Sequence, residues 1–337
     1  MFIFVISLSV LLIALIYFQS KYLILIDAPH GQSHKSLYNK NTPLSGGIYL
    51  FLALVVFLNL IEFNKNSILI STFLLSILVL GVFSDLKRNF SPKLRLLLQF
   101  ITVMFFILFL SLKIDRTGIF FLDFFINNYL FNLIFTSLCI TIIINGSNFC
   151  DGVNCNVIGY YLVATLSILL TKQALPENFP NLEILILIFT IFYIANIFQK
   201  SFLGDNGTYV ISTFMSIYII NFINLNNNIS PLLALNLLWY PAFENLFTII
   251  RRLVANKKIQ LADRTHLHIL IQEKISNKKN STFTNSLTGI VLNLFMFLGM
   301  YLSINFYNDE KILILILLIN IFLYIIGYYY FYLRRKN

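Results

Sequence analysis

Residues 182–224 read LEILILIFTIFYIANIFQ, then KSFLGDNG, then TYVISTFMSIYIINFIN. The outer segments, 182–199 and 208–224, are long and apolar enough to cross a bilayer as helices. The polar link between them, 200–207, carries Asp205 flanked by Gly204 and Gly207. A carboxylate at the edge of a membrane span is expensive without a partner and marks a functional site by default. The glycines would let backbone or a phosphate approach closely.

The rest of the chain repeats this pattern. Of its 337 residues 58% are apolar and only 11% charged, against about 45–50% and about 25% in soluble domains. A window of about 19 residues places spans at 2–20, 46–63, 67–84, 96–113, 128–145, 156–171, 182–199, 208–224, 230–250, 284–306 and 312–333, eleven in all. Pro231, Pro241 and Glu244 interrupt the span at 230–250. The runs are too long and too continuous for barrel strands, which alternate over about 10 residues. The expected fold is an all-α polytopic membrane protein forming a single integral-membrane domain over 1–337. Phe2–Phe18 lacks a basic leader and a small-residue cleavage site, so it reads as a retained helix.

Loop charge sets the orientation. Loops 21–45, 85–95, 146–155, 200–207, 251–283 and the C-terminal tail hold 19 Lys and Arg, and the opposite loops hold 5. By the positive-inside rule the N-terminus is outside and the C-terminus cytoplasmic. The net charge of +10 follows from that topology and from attraction to anionic lipid, and calls for no nucleic acid. Cys139, Cys150 and Cys155 show neither disulfide nor zinc spacing.

Asp27, Asp85, Asp151, Asp205 and Asp263 all fall on the basic side, with all four histidines, His30, His34, His266 and His268. Gly46 and Gly47 open a helix, where backbone N–H groups suit an anion, although Pro-x-x-Gly-Gly is also ordinary turn chemistry. Asn145, Asn148 and Asp151 are spaced i, i+3, i+6 and share a helix face. Polar groups at the end of an apolar span need protein or ligand partners. Arg251, Arg252, Asp263, Arg264, His266 and His268 form a last cluster, a better anion site than a zinc site. Acids that hold Mg²⁺ with substrate phosphates, beside bases that neutralise a diphosphate, describe an enzyme acting on a phosphorylated substrate at the membrane face. A transporter with an acid-lined ion path, or a lipid-binding membrane protein, is the alternative. No internal repeat is visible, and the acids sit at span ends rather than centres.

In chain order, Asp27-x-Pro29, Pro43-x-x-Gly46-Gly47, Asp85, Arg95-Leu96, Gln99, Asn145-x-x-Asn148-x-x-Asp151-Gly152, Gly204-Asp205-x-Gly207, Arg251-Arg252 and Asp263-Arg264-x-His266-Leu-His268 resemble the polyprenyl-phosphate N-acetylhexosamine-1-phosphate transferases. These form glycosyltransferase family 4, which includes the phospho-MurNAc-pentapeptide translocases and the GlcNAc-1-phosphate transferases. The resemblance implies a multi-pass protein of a bacterial plasma (inner) membrane with a cytoplasmic active site. It implies transfer of a sugar 1-phosphate from a UDP-N-acetylhexosamine to undecaprenyl phosphate, release of UMP, and dependence on Mg²⁺. It casts Asp205 as the metal ligand, Asp85, Asp151 and Asp205 as catalytic residues, and Asn145, Asn148, Asn154, Arg264, His266, His268, Gly46 and Gly47 as substrate-binding. The product would prime cell-envelope polysaccharide, and a homodimer is left open. The His-x-His form is more like the GlcNAc-1-phosphate branch. Ser84 stands where the family usually has an acid before Asp85, and Gln32 where a first-loop Arg is expected; a catalytically impaired member is the reading that Ser84 would support.

Overall fold

The computed structural model describes residues 2–27, 41–61, 65–86, 91–170, 181–256, 265–276 and 281–335. Among them run thirteen helices: α1 (Phe2–Tyr22), α2 (Gly46–Ile61), α3 (Lys65–Leu86), α4 (Pro92–Leu110), α5 (Phe120–Ile126), α6 (Tyr129–Cys150), α7 (Asn156–Leu170), α8 (Leu182–Ile197), α9 (Gly204–Leu225), α10 (Leu232–Val254), α11 (Leu267–Ile275), α12 (Ser281–Asn305) and α13 (Glu310–Arg335). A two-residue antiparallel pair, β1 (Ile26–Asp27) with β2 (Thr42–Pro43), ties the chain after α1 to the start of α2. Residues in a bilayer must satisfy their backbone groups internally, and helices do so within one segment.

Among the described residues, eight helices are long and apolar enough to cross a membrane. Three shorter apolar ones, α2, α7 and α8, coincide with predicted spans 46–63, 156–171 and 182–199. The sequence predicts one class of spanning helix and the fold contains two, together with the short α5 and α11 that no apolar window marks.

Helix α9 is the axis. Within its apolar window 83% of residues are buried, against 17% for α1. It packs on α2, α3 and α6. Small hydroxyl residues let neighbours come close. Ser212 and Ser216 donate to the Thr208 and Ser212 carbonyls at 2.5 and 2.7 Å. Asn206 is completely buried, and a Cβ on either Gly47 of α2 or Gly81 of α3 would strike it.

Helix α10 meets α6 as closely, for a Cβ on Gly146 would run into the Pro241 carbonyl. Pro241 has no N–H for the carbonyl of Leu237, one turn back. That carbonyl instead accepts the Tyr160 hydroxyl at 2.7 Å, so the interrupted span keeps its backbone satisfied.

Two predicted boundaries are corrected. Segments 146–155 and 200–207 read as loops, yet α6 continues to Cys150 and α9 begins at Gly204. Hydropathy scores Asn148 and Asp205 as loop residues, whereas their polarity is matched by each other across the helix pair.

Candidate functional site

The site is assembled at the N-terminus of α9. A helix start leaves unpaired backbone N–H groups and a partial positive charge. Leu203, at the cap position, offers no side chain for them. Asp85, from the last turn of α3, supplies it. Its Oδ1 accepts the Asp205 N–H at 2.9 Å, and its Oδ2 accepts the Asn206 N–H at 3.0 Å and the Asn206 side-chain amide at 2.6 Å. Gly204, at φ +66°, makes the turn into the helix in the left-handed region that glycine enters without strain.

This start aims Asp205 outward. Its Oδ1 accepts the Asn148 amide at 2.5 Å. Its Oδ2 accepts Arg95 Nη1 at 3.0 Å, the Ser84 hydroxyl and, at 3.4 Å, the Tyr209 hydroxyl. Arg95 and Asp205 keep 22% and 23% of their side chains exposed, so the ion pair is reachable from solvent. Asp151 follows α6 directly and is partly exposed. Burial first, then the charges of Asp205, Asp85 and Asp27, push its carboxyl well above the usual range, against a hydrogen bond from the Gly204 backbone. The acids that the sequence left scattered thus share one electrostatic compartment.

The other predicted residues have separate places. Asn145, buried, donates to Gln99 Oε1 at 2.9 Å and to the Thr141 carbonyl at 3.0 Å, joining α6 to α4 beneath the site. Asn154 turns towards α12, its backbone N–H on Asn285 at 3.0 Å and its amide on Ser286 at 3.2 Å. Gly46 and Gly47 pack tightly against Phe192, Leu203 and Asn206, where a Cβ would clash, and the Gly46 N–H donates to the Phe202 carbonyl at 3.1 Å. Arg264, Asp263, His30 and His34 lie outside the described residues.

His266 and His268 stand beside the segment that carries Asp151. Their rings stack at 5.5 Å, Phe149 lies 5.7 Å from the His266 ring, and a Cβ on Gly152 would overlap His268 Nε2. His268 is fully buried, which with the neighbouring His266 pushes its pKa down to about 3 and keeps it neutral. His266 bonds Glu244 at 2.8 Å.

Sequence reasoning missed Ser84, Asn206 and Tyr209 as partners of the acids, and Glu244 as partner of His266. For Glu244 the signal was present: an acid within an apolar span. Ser84 was marked only as a departure from the family pattern, not as a partner of Asp205; nothing marked Asn206 or Tyr209 as partners of the acids, because their pairing with Asp85 and Asp205 depends on how α9 starts against α3.

The donor set suits a hard divalent cation. Three carboxylates repel one another, and among the described residues only Arg95 forms an ion pair with any of them. No three His, Cys, Asp or Glu side chains among the described residues close on one point. Mg²⁺ asks for less, taking one or two carboxylates and completing its shell with water and substrate phosphate.

Residues 67–223 match the model of glycosyl transferase family 4. The matched region contains Asp85, Asn148, Asp151 and Asp205 and stops short of Glu244 and His266. The chain is also similar to a probable undecaprenyl-phosphate N-acetylglucosaminyl 1-phosphate transferase of Bacillus subtilis (strain 168). The two are 26% identical over 285 residues, 80% of this chain and 75% of the relative.

Proposed function

We propose that this chain, whose residues 67–223 match the model of glycosyl transferase family 4, moves an N-acetylhexosamine 1-phosphate from a UDP-sugar to undecaprenyl phosphate at the cytoplasmic face of a bacterial plasma membrane. The observation that carries this reading is the gathering of Asp85, Asp151 and Asp205 with Arg95 at the N-terminus of a buried membrane helix. The uneven loop charge, 19 against 5, supports the cytoplasmic side. The name of the Bacillus relative supports the acceptor and the sugar.

In this reaction an oxygen of the lipid phosphate attacks the sugar-bearing phosphorus of the donor. The bond from that phosphorus to the bridging oxygen breaks, UMP departs with the bonding pair, and a lipid-linked sugar diphosphate remains. A phosphate monoester has its second pKa near about 6 and is largely dianionic at neutral pH. The attacking oxygen therefore needs little help from a base. Phosphoryl transfer depends on placement and charge neutralisation, which these residues can provide.

Asp205, with Asp151 nearby, would hold Mg²⁺, and the ion would neutralise the diphosphate and stabilise the departing oxygen. Asp85 keeps α9 capped and so keeps Asp205 aimed. Asn148 holds the other oxygen of Asp205 and lines the approach to the donor. Arg95, shared between Asp205 and Ser84 at 3.0 and 3.1 Å, is a cation placed to meet the incoming lipid phosphate. His266, adjoining the Asp151 segment, contacts the donor sugar.

The test is exchange of labelled UMP into UDP-GlcNAc by membranes holding the protein, undecaprenyl phosphate and Mg²⁺. Exchange dependent on the lipid phosphate is expected. Its absence with every UDP-N-acetylhexosamine contradicts the reading.

A further inference from the structure

Glu244 lies inside the apolar stretch of α10 and is completely buried. A buried carboxylate survives only when both oxygens are matched, and here each has its own partner. Oε1 meets His266 Nδ1 at 2.8 Å, and Oε2 accepts the Tyr324 hydroxyl from α13. A carboxylate can only accept, so the hydrogen of this bond sits on Nδ1 of His266. Among the described residues nothing bonds Nε2 of that ring.

Three further contacts fix the ring. Arg251, two turns beyond Glu244 on the same face of α10, donates to the Thr265 carbonyl at 3.0 Å and to the Tyr328 hydroxyl at 3.2 Å. That anchors the residue before His266. His268 stacks on one side at an interplanar angle of 14°, and Phe149 lies 5.7 Å away. His268 in turn rests on Gly152, next to Asp151.

We propose that Glu244 is a positioning residue for the transfer: it fixes the ring of His266 and keeps the hydrogen on Nδ1, so that the Nε2 lone pair is presented as an acceptor to a hydroxyl or N–H of the donor sugar. A carboxylate behind a ring nitrogen sets the tautomer and orientation of the other nitrogen. The inference rests on the reading of His266 as a donor contact.

The experiment is a double-mutant cycle of Glu244→Gln with His266→Ala, on full-length protein in detergent or nanodiscs, measured by UMP formation. Glu244→Gln preserves shape and is expected to lower kcat/KM for the UDP-sugar by about 10- to 100-fold. The KM for undecaprenyl phosphate should stay unchanged, because the proposal assigns this histidine to the donor. The double variant should be no slower than His266→Ala alone, since both changes remove one function. Multiplying losses in the double variant, or wild-type turnover in Glu244→Gln, overturns the proposal. Should Glu244→Gln fail to fold, Tyr324→Phe loosens the same carboxylate and should give a smaller loss that vanishes in the His266→Ala background; an equal loss in both backgrounds overturns it. Full turnover by His266→Ala rejects the donor contact itself. A wild type inert with every donor rejects the transferase reading, and the inference falls with it.

Discussion

Two carboxylates hold the polar parts of this molecule together in different ways. Asp205, at the mouth of α9, is nearly a quarter exposed and shares its compartment with Asp85 and Asp151, where among the described residues Arg95 is the ion-pair partner. Glu244, in α10, is sealed from solvent and matched by one histidine and one tyrosine. The first centre gathers several acids and keeps an opening, which suits a cation and phosphates that arrive and leave. The second is closed, with both carboxylate oxygens hydrogen-bonded, which suits holding a ring still. A buried acid in a membrane bundle can thus be a binding group or a brace, and exposure with hydrogen-bond saturation tells which.

The largest test of this contrast is at the open centre. Asp205→Asn keeps the Asn148 contact but removes the charge, and should lower turnover by about 10³-fold, with expression unchanged, as read by initial rates in quantified membranes. Retained turnover would make Asp205 a brace as well.

Gly152→Ala probes the junction of the two centres. A Cβ there strikes His268 and should displace the histidine pair, lowering kcat by about 10- to 100-fold while leaving Mg²⁺ dependence in place. A normal rate would show that the two centres act independently.

Asp151→Asn separates stability from activity. The carboxyl of Asp151 is raised by burial and by its acidic neighbours. The folded protein therefore binds this proton more tightly than the unfolded chain does. That contribution is full below the unfolded pKa and is lost as pH rises through the folded one. Removing the charge should raise Tm of the Mg²⁺-free protein, more at pH 8 than at pH 5, while activity drops. A Tm gain equal at both pH values would refute the charge explanation.

The smallest effect belongs to neither centre. Tyr160→Phe leaves the Leu237 carbonyl without its hydroxyl partner and should cost about 1 kcal/mol in mixed-micelle unfolding, with turnover unchanged. A large activity loss would tie this brace to catalysis.

Much of this was legible in the sequence. Asp85, Asp151 and Asp205 stood out because acids at the ends of apolar spans demand partners. The spacing of Asn148 and Asp151 put them on one helix end. The start of α9 was not legible: hydropathy sees KSFLGDNG as a loop, and only the Asp85 carboxylate, 120 residues away, makes Gly204 a helix start. Gly46 and Gly47 read as an anion cradle because turn chemistry and close packing use the same residue. Glu244 read as a flaw in a span, since its partners His266 and Tyr324 lie 22 and 80 residues further along the chain.

The most direct test of the account is a Mg²⁺ titration of UMP exchange, run side by side on wild type and Asp205→Asn with UDP-N-acetylhexosamines and undecaprenyl phosphate. The account predicts saturable, Mg²⁺-dependent exchange in the wild type and none above background in the variant. Equal exchange in both, or none in the wild type with any donor, would contradict it.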